Sequence, residues 1–127
     1  MSVYPLLLFN ENCSSPDLKE EAYPEDIMWT NQRGIGMDCT SLYFLVHNGT
    51  VKIGRTEKPE RRLDTMKVYL SHAAIMYVFD GKGHMEKNMH RCFADFKLSG
   101  EWFKYNARIK RFLKKFHFGK SIILEKY

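Results

Sequence analysis

The chain has 127 residues and a net charge of +5, and 44% of its residues are hydrophobic. This length suits one compact domain, and the composition excludes wholesale disorder. No apolar run approaches the roughly 18 residues of a membrane span, and the apolar N-terminal run lacks the basic residues and cleavage site of a signal peptide. We therefore expect an intracellular protein, in the cytoplasm or nucleus.

Cysteine usage agrees with a reducing compartment. Cys13, Cys39 and Cys92 are far apart in the sequence and form no C-x-x-C pair. An odd number of widely spaced cysteines favours free thiols over a disulfide framework or a zinc site.

The charge is unevenly distributed along the chain. Residues 1–40 carry two basic and seven acidic side chains, whereas residues 104–120 carry seven basic side chains and no acidic one. This asymmetry indicates a polyanionic partner at the basic end, although a solubilising helix face would have the same composition. We divide the chain into an acidic N-terminal extension (1–40), a core (41–105) and a basic C-terminal helix and tail (106–127).

The N-terminal extension gives weak structural signals because prolines interrupt it. One short helix is predicted there, with Ser15 as its N-cap and Pro16 at its first helical position. The two glycines of the segment 34–36 are interpreted as part of a turn and not as a nucleotide-binding loop.

A β-hairpin is the clearest element. Two segments rich in aromatic and branched residues flank Asn48-Gly49, a dipeptide that favours a type I′ turn, and residues 41–54 are therefore predicted to form the hairpin. The elements predicted after it are a helix that begins at Pro59 with Leu63 and Met66 facing the core, a strand over residues 73–79, a helix over residues 84–96, a helix after the N-cap Asn106, and a possible short strand in residues 120–127.

The predicted core of the fold comprises the elements from residue 41 onwards. Their order, β-β-α-β-α-α, predicts an α+β fold with a small three-stranded antiparallel sheet flanked by helices. Trp102 and Phe103 stand between elements where the fold must close, so we expect them in the core rather than in a base-stacking platform.

The hairpin and the helices after it contain the residue types that phosphodiester hydrolysis requires. This reaction needs a cation to offset developing charge, a group to activate water and a guanidinium for the phosphate oxygens. Tyr43 and Lys52 could share one face of the hairpin, and Glu86 and His90 are an i, i+4 pair on a helix. Taken singly, each residue has an ordinary explanation as packing or as a solvated side chain, and it is their joint order that indicates chemistry.

The joint order resembles the GIY-YIG nuclease superfamily. The motifs are S-L-Y, K-I-G-R-T, an Arg-Leu pair on a helix, E-x-x-x-H and E-W-F, and they occur in this order within about residues 41–105. The resemblance is closest to the phage-type branch, which is often described as a DNA-binding domain and is shared with a yeast meiotically up-regulated protein. It implies a GIY-YIG-like fold.

The resemblance implies a role for several individual residues. Tyr43 matches the tyrosine of the first element, and Lys52 replaces the tyrosine of the second. Ser41 replaces the first glycine of the first element. The remaining roles are Arg62, or alternatively Arg61, as the helix arginine, Glu86 as the metal ligand, His90 as the histidine typical of the branch, Arg55 as a phosphate contact at the rim, and Gly49 and Gly54 as structural glycines.

By this resemblance the reaction is hydrolysis with one Mg²⁺ or Mn²⁺ ion at Glu86. Tyr43, with its proton affinity lowered by Lys52 or Arg55, would take a proton from the attacking water. Arg62 would contact the scissile phosphate, and His90 would orient the metal or its water, or relay a proton to the leaving oxygen. The lysine at position 52 leaves the identity of the water-activating group open.

The two ends of the chain are also interpreted through a DNA partner. The basic C-terminal helix would track the DNA backbone through Arg108, Lys110, Arg111, Lys114 and Lys115. The acidic extension would either lie over the basic face and limit non-specific DNA binding, or pack as a helix on the spare face of the sheet.

The sequence thus predicts a metal-dependent DNA endonuclease or a nuclease-like domain. One alternative is a non-catalytic DNA-binding module on the same fold, and another is a protein-interaction or inhibitor module that uses its basic face on an acidic protein. A domain of this size often needs a homodimer or a partner protein to cut both strands. The branch is common in phages and large DNA viruses, so a virus-infected host cell is one expected location.

Overall fold

The computed structural model describes residues 23–32 and 38–125 of a chain that divides into two units, Met1–Gly34 and Ile35–Tyr127. In the first unit the described part is one helix, α1 (Pro24–Thr30), whose Thr30 hydroxyl donates a hydrogen bond to the carbonyl oxygen of Asp26 at 2.7 Å. The predicted helix capped by Ser15, the predicted turn at 34–36 and Cys13 lie outside the described residues.

The second unit is built on a six-stranded antiparallel sheet. The spatial order of its strands is β4-β5-β2-β1-β3-β6. In chain order they are β1 (Ser41–His47), β2 (Thr50–Thr56), β3 (Ala74–Phe79), β4 (Lys97–Ser99), β5 (Trp102–Lys104) and β6 (Ser121–Leu124). The α+β class is retained, but the predicted three-stranded sheet is wrong.

The strands that the prediction missed are short. β4 and β5 have three residues each and pair around Gly100, so neither is long enough to show the alternation by which a strand is recognised in sequence. β6 corresponds to the short strand expected near the C-terminus, and it pairs with β3 to extend the sheet on the other side.

The predicted hairpin is confirmed in both its turn and its register. Asn48 and Gly49 have φ values of 51° and 79°, as a type I′ turn requires. The turn sets the pairing of β1 with β2, in which Tyr43 lies opposite Gly54 and Leu45 lies opposite Lys52. Because side chains directly opposite one another lie on the same face of a sheet, Tyr43, Leu45 and Lys52 share one face.

Two helices of the second unit begin where their sequence signals predicted. Pro59 stands in the first turn of α2 (Pro59–Met66), and the Asn106 side chain accepts a hydrogen bond from the backbone N–H of Ile109 at the start of α4 (Ala107–Phe116). The helix expected over residues 84–96 is shorter. It consists of α3 (Glu86–Cys92) between the 3₁₀ segments Gly83–Met85 and Ala94–Phe96.

The helices of the second unit cover the two faces of the sheet. On one face, Leu63 and Met66 of α2 pack with Tyr43 and Leu45, and Trp102 packs against this cluster. On the other face, the ring of Phe44 packs against α3 and α4 through Phe93 and Phe112, at centroid distances of 6.5 and 5.7 Å. The core placement of Phe103, which is fully buried, and of Trp102 is confirmed.

Two further expectations concern the thiols and the membrane. Among the described residues, Cys39 and Cys92 carry thiols that form no disulfide. Within the part of the chain that the structure describes, no helix combines the length and the apolar character needed to cross a bilayer.

Candidate functional site

The ring of Tyr43 lies directly over the backbone of Gly54. A Cβ atom on Gly54 would stand 2.6 Å from Tyr43 Oη and 2.7 Å from Cζ. Any residue other than glycine at this position would therefore clash with the tyrosine ring. The glycine at the end of the K-I-G motif is therefore required because its cross-strand partner is a tyrosine whose ring occupies the space of a Cβ. The side chain of Tyr43 is only 2% exposed.

Lys52 extends from the same face of the sheet, one diagonal step from Tyr43. Its Nζ atom is 3.7 Å from Oε1 of Glu101, with the two side chains 20% and 45% exposed. Glu101 was not among the predicted site residues, although the E-W-F motif contains it. Its role was hidden because the turn between two three-residue strands determines where it lies.

The site forms where β5 stops pairing with β2. Beyond Lys52, which is paired with Trp102, the backbone of Ile53 has no strand partner on that side. Its N–H donates instead to the carbonyl oxygen of Glu101 at 3.0 Å, and its carbonyl oxygen accepts a hydrogen bond from Nε2 of His90 at 2.7 Å. We call the side chains gathered at this break in the sheet the edge site: Tyr43, Lys52, Glu86, His90 and Glu101.

His90 is held in place on two sides. Because a carbonyl oxygen can only accept, Nε2 carries the proton of the bond to Ile53. The imidazole ring also stands edge-on to the ring of Phe103 at a centroid distance of 5.1 Å. Oε2 of Glu86 lies 3.8 Å from Nε2, as the i, i+4 spacing predicted. The nitrogen that faces Glu86 is thus already engaged with the backbone.

Two carboxyl groups meet at the edge site. The pKa of Glu86 is raised, mainly because its side chain is partly buried and also because Glu101 lies beside it, where its carboxylate repels a second negative charge and accepts a hydrogen bond from protonated Glu86. The positive charge of Arg55, and that of His90 when its ring is protonated, act in the opposite direction. Such a pair of carboxyl groups carries negative potential that a bound cation would offset.

Burial also determines the direction in which the pKa of Tyr43 is shifted. Desolvation raises its pKa to about 12, and Glu101 and Glu86 act in the same direction, whereas Arg62 lowers it. The expectation that Lys52 or Arg55 would lower the proton affinity of this tyrosine is therefore not met. The phenol remains protonated at neutral pH.

Of the two candidate arginines, Arg62 is the one that acts electrostatically on Tyr43. Arg61 and Arg62 both line an open groove between the end of β2 and α2, with a volume of about 460 Å³. Within residues 23–32 and 38–125, neither guanidinium forms an ion pair. The groove is lined by Thr56, Glu57, Lys58, Arg61, Arg62 and Thr65.

Arg55 is already engaged within the protein. Its Nη2 atom lies 3.3 Å from Oδ2 of Asp38 and 3.2 Å from the hydroxyl of Thr40. Its side chain is about half exposed, so a phosphate at the rim would have to share this guanidinium with Asp38. The predicted phosphate contact of Arg55 remains a prediction.

The basic helix α4 lies against the opposite face of the sheet from Tyr43. Arg108 stacks over the rings of Phe93 and Phe96 at 5.9 and 5.6 Å, and Lys110 lies over the ring of Tyr105 at 5.3 Å. Arg111 is half-buried, whereas Lys110, Lys114 and Lys115 are exposed. The structure does not bring these residues to the edge site, and their contact with DNA remains a prediction.

The donor set of the edge site suits a hard divalent cation with few protein ligands. Among residues 23–32 and 38–125 no group of three or more His, Cys, Asp or Glu side chains could hold a metal ion. Mg²⁺ commonly binds through one or two carboxylates, with waters and substrate phosphates completing its shell. Glu86, with Glu101 beside it, fits this pattern and is the residue that would hold the ion.

A protein-family model matches the chain. The model of the T5orf172 domain, a domain found in phage and homing-endonuclease-like proteins, matches residues 40–117, which is more than half of the chain and includes every edge-site residue. No curated protein and no solved structure gave a significant match.

Proposed function

The chain belongs to the T5orf172 domain family, and from that premise we propose that it is a metal-dependent DNA endonuclease of the GIY-YIG type. The observation that carries the proposal is the meeting of Tyr43, Lys52 and Glu86 where β5 leaves β2, with Arg62 acting on Tyr43 from α2. A phenol, an ammonium, a carboxylate and a guanidinium are the groups that phosphodiester hydrolysis uses.

Each side chain has a role in this proposal. Arg62, an exposed guanidinium with no carboxylate partner in the described part of the chain, binds the scissile phosphate through two parallel hydrogen bonds. Tyr43 stays protonated, so its hydroxyl orients the attacking water by a hydrogen bond and does not act as a free base. Lys52 supplies a positive charge beside the phenol.

Glu86 would hold one Mg²⁺ or Mn²⁺ ion. Such an ion offsets the negative charge that develops on the phosphate and lowers the pKa of a water molecule. His90 keeps α3 in register with β2 through its bond to Ile53, and this bond places the carboxylate of Glu86 at the edge site.

A second candidate function is a DNA-binding module that does not cut. Two observations favour it. Tyr43 is almost fully buried with its pKa raised to about 12, and the second signature position carries Lys52 in place of a tyrosine. In that case Arg61 and Arg62 of α2 would still bind phosphates, and the edge site would have no catalytic role.

Nicking of supercoiled plasmid DNA separates the two functions. With Mg²⁺ or Mn²⁺ the wild-type protein should convert supercoiled to relaxed DNA, EDTA should stop the reaction, and Glu86→Gln should lower the rate by at least about 100-fold. Asp95→Asn, a neutralised carboxylate at an exposed position, is the matched control and should cut at the wild-type rate. DNA binding without any metal-dependent nicking would favour the second function, and failure to bind DNA even at low salt would remove both.

A further inference from the structure

One flank of α2 presents a row of residues at helical spacing. The 3₁₀ segment Lys67–Tyr69 continues directly from α2, and Leu63, Met66 and Leu70 form the buried side of this combined element. The step of three residues from Arg62 to Thr65 places both on one flank of α2, with Lys58 at the N-cap before them and Tyr69 at the end of the 3₁₀ segment after them. The row consists of Lys58, Arg62, Thr65 and Tyr69.

The carboxylates of α2 do not neutralise this flank. Glu60 pairs with Lys120, and Asp64 pairs with Lys67 at 2.9 Å. Lys58, Arg61 and Arg62 therefore face the groove with only Glu57 as an acidic lining residue. The groove has a net positive charge and would attract the phosphates of a nucleic acid.

The row ends in an aromatic side chain that stands in solvent. Tyr69 is 82% exposed and the adjacent Val68 is 73% exposed. Tyr69 is seven positions after Arg62, with four steps along α2 and three along the 3₁₀ segment, which corresponds to a rise of roughly 12 Å. The rise per nucleotide is about 3.4 Å along a stacked duplex and larger in an extended strand, so Tyr69 stands within about four nucleotides of a phosphate bound at Arg62.

We propose that Tyr69 is a base-stacking contact for an unpaired nucleotide of the nucleic acid that runs along α2 from the edge site. The inference rests on the proposed function, which places a phosphate of the DNA strand at Arg62. It adds a substrate class, namely DNA with a single-stranded or frayed segment next to that phosphate. Cations along the backbone combined with an aromatic platform for a base are how proteins hold single strands without reading their sequence.

Fluorescence anisotropy with a labelled single-stranded oligonucleotide, in EDTA so that no cutting occurs, tests the proposal. Tyr69→Ala should weaken binding about 5- to 100-fold, as expected for the loss of one stacked base. Tyr69→Phe keeps the ring and should bind within about twofold of wild type. Neither substitution should shift the melting temperature, because the side chain is exposed.

Two controls isolate the base from the phosphates. An oligonucleotide of equal length built from abasic sites keeps the charges but has no bases, and on it Tyr69→Ala should bind as wild type does. Phe118→Ala removes another aromatic side chain, 87% exposed and beyond the C-terminal end of α4, and should leave binding to every substrate unchanged. Val68→Ala removes the exposed side chain next to Tyr69 and controls for a non-specific effect of substitution at the end of α2.

The outcomes separate this proposal from the proposed function. If Arg61→Ala weakens binding and Tyr69→Ala does not, the stacking contact is refuted and nucleic-acid binding stands. An equal loss for Tyr69→Ala on intact and abasic strands also refutes stacking. If wild-type protein nicks plasmid DNA but binds no single-stranded oligonucleotide at low salt, the stacking contact is refuted and the proposed function stands; if it neither nicks plasmid DNA nor binds any DNA, both proposals fall.

Discussion

Tyr43 and Gly54 are interdependent: the ring of the tyrosine occupies the space in which a Cβ of its cross-strand partner would stand, 2.6 Å from the hydroxyl oxygen. The ring is buried in the cluster that α2 covers, so it can move away from the strand only by disturbing the packing of that cluster. The position of a proposed catalytic hydroxyl is therefore determined by the absence of a single methyl group on the neighbouring strand.

Gly54→Ala should destabilise the fold by about 1–3 kcal/mol, because the added methyl forces the ring of Tyr43 out of place. In a Tyr43→Leu background the same change should cost much less, since leucine lacks the ring atoms that the new Cβ would meet. Urea denaturation of the four proteins in this double-mutant cycle measures the coupling.

Gly119→Ala is the control, because its Cβ would lie 3.7 Å from the nearest atom, the carbonyl oxygen of Val78, and should be accommodated. Equal costs in both backgrounds would contradict the steric explanation.

Lys52 and Glu101 should act as a pair in catalysis and contribute little to stability. Because the ion pair is partly solvent-exposed, Glu101→Gln and Lys52→Met should each change the free energy of unfolding by less than about 1 kcal/mol. Each should lower the metal-dependent nicking rate by about 10- to 100-fold, which is the usual effect of removing a group that orients a metal site. The double variant should be no slower than the slower single variant.

The matched control for that pair is another ion pair of the same unit. Asp64→Asn breaks the ion pair that joins α2 to Lys67 of the following 3₁₀ segment at 2.9 Å, and this pair is even more exposed. We expect it to leave the nicking rate unchanged. Rate losses that simply multiply in the Lys52→Met, Glu101→Gln protein would show that the two residues act independently.

The parts of the fold that local sequence determines could be predicted. Asn48-Gly49 determines the turn, the turn sets the register, and the register places Lys52 on the face of Tyr43. Likewise the i, i+4 spacing of Glu86 and His90 is a property of the helix alone. These relationships involve residues close together in the chain.

Relationships that depend on distant packing could not be predicted. Glu101 reaches the edge site because two three-residue strands fold back beside β2, and strands of that length leave no periodic signal. The raised pKa of Tyr43 results from burial under α2, although the cations near it in the sequence had indicated a lowered value. Asp38, which precedes the hairpin, was not recognised as the partner of Arg55 for the same reason.

Asp38 should contribute an acid-sensitive part of the stability. Its hydrogen bonds from the Thr40 side chain and backbone, and then the charge of Arg55, hold its pKa below the usual value. A carboxylate with a lowered folded-state pKa stabilises the fold above its unfolded pKa of about 4, and this stabilisation is lost as the pH falls through the folded-state value.

Thermal melts across pH 2–7 test this contribution. The difference in melting temperature between wild type and Asp38→Asn should be constant above about pH 5 and should shrink as the pH falls below about 4. Asp95→Asn, at an exposed position for which no ion pair is found in the described part of the chain, should show no such pH-dependent difference. A gap between wild type and Asp38→Asn that stays constant down to pH 2 would count against the proposed linkage.

His90 is predicted to be a positioning residue and not a proton relay, because its Nε2 proton is committed to the carbonyl oxygen of Ile53 at 2.7 Å. His90→Ala leaves that carbonyl without its donor and removes the edge-on contact with Phe103, so the free energy of unfolding should fall by about 1–3 kcal/mol. His90→Gln retains a donor on a side chain of similar reach and should recover most of that loss. If the imidazole only positions α3, His90→Gln should also nick DNA within about tenfold of wild type and show the same pH–rate profile. A stable His90→Gln protein that has lost nicking by 1,000-fold would instead assign the proton transfer to this histidine.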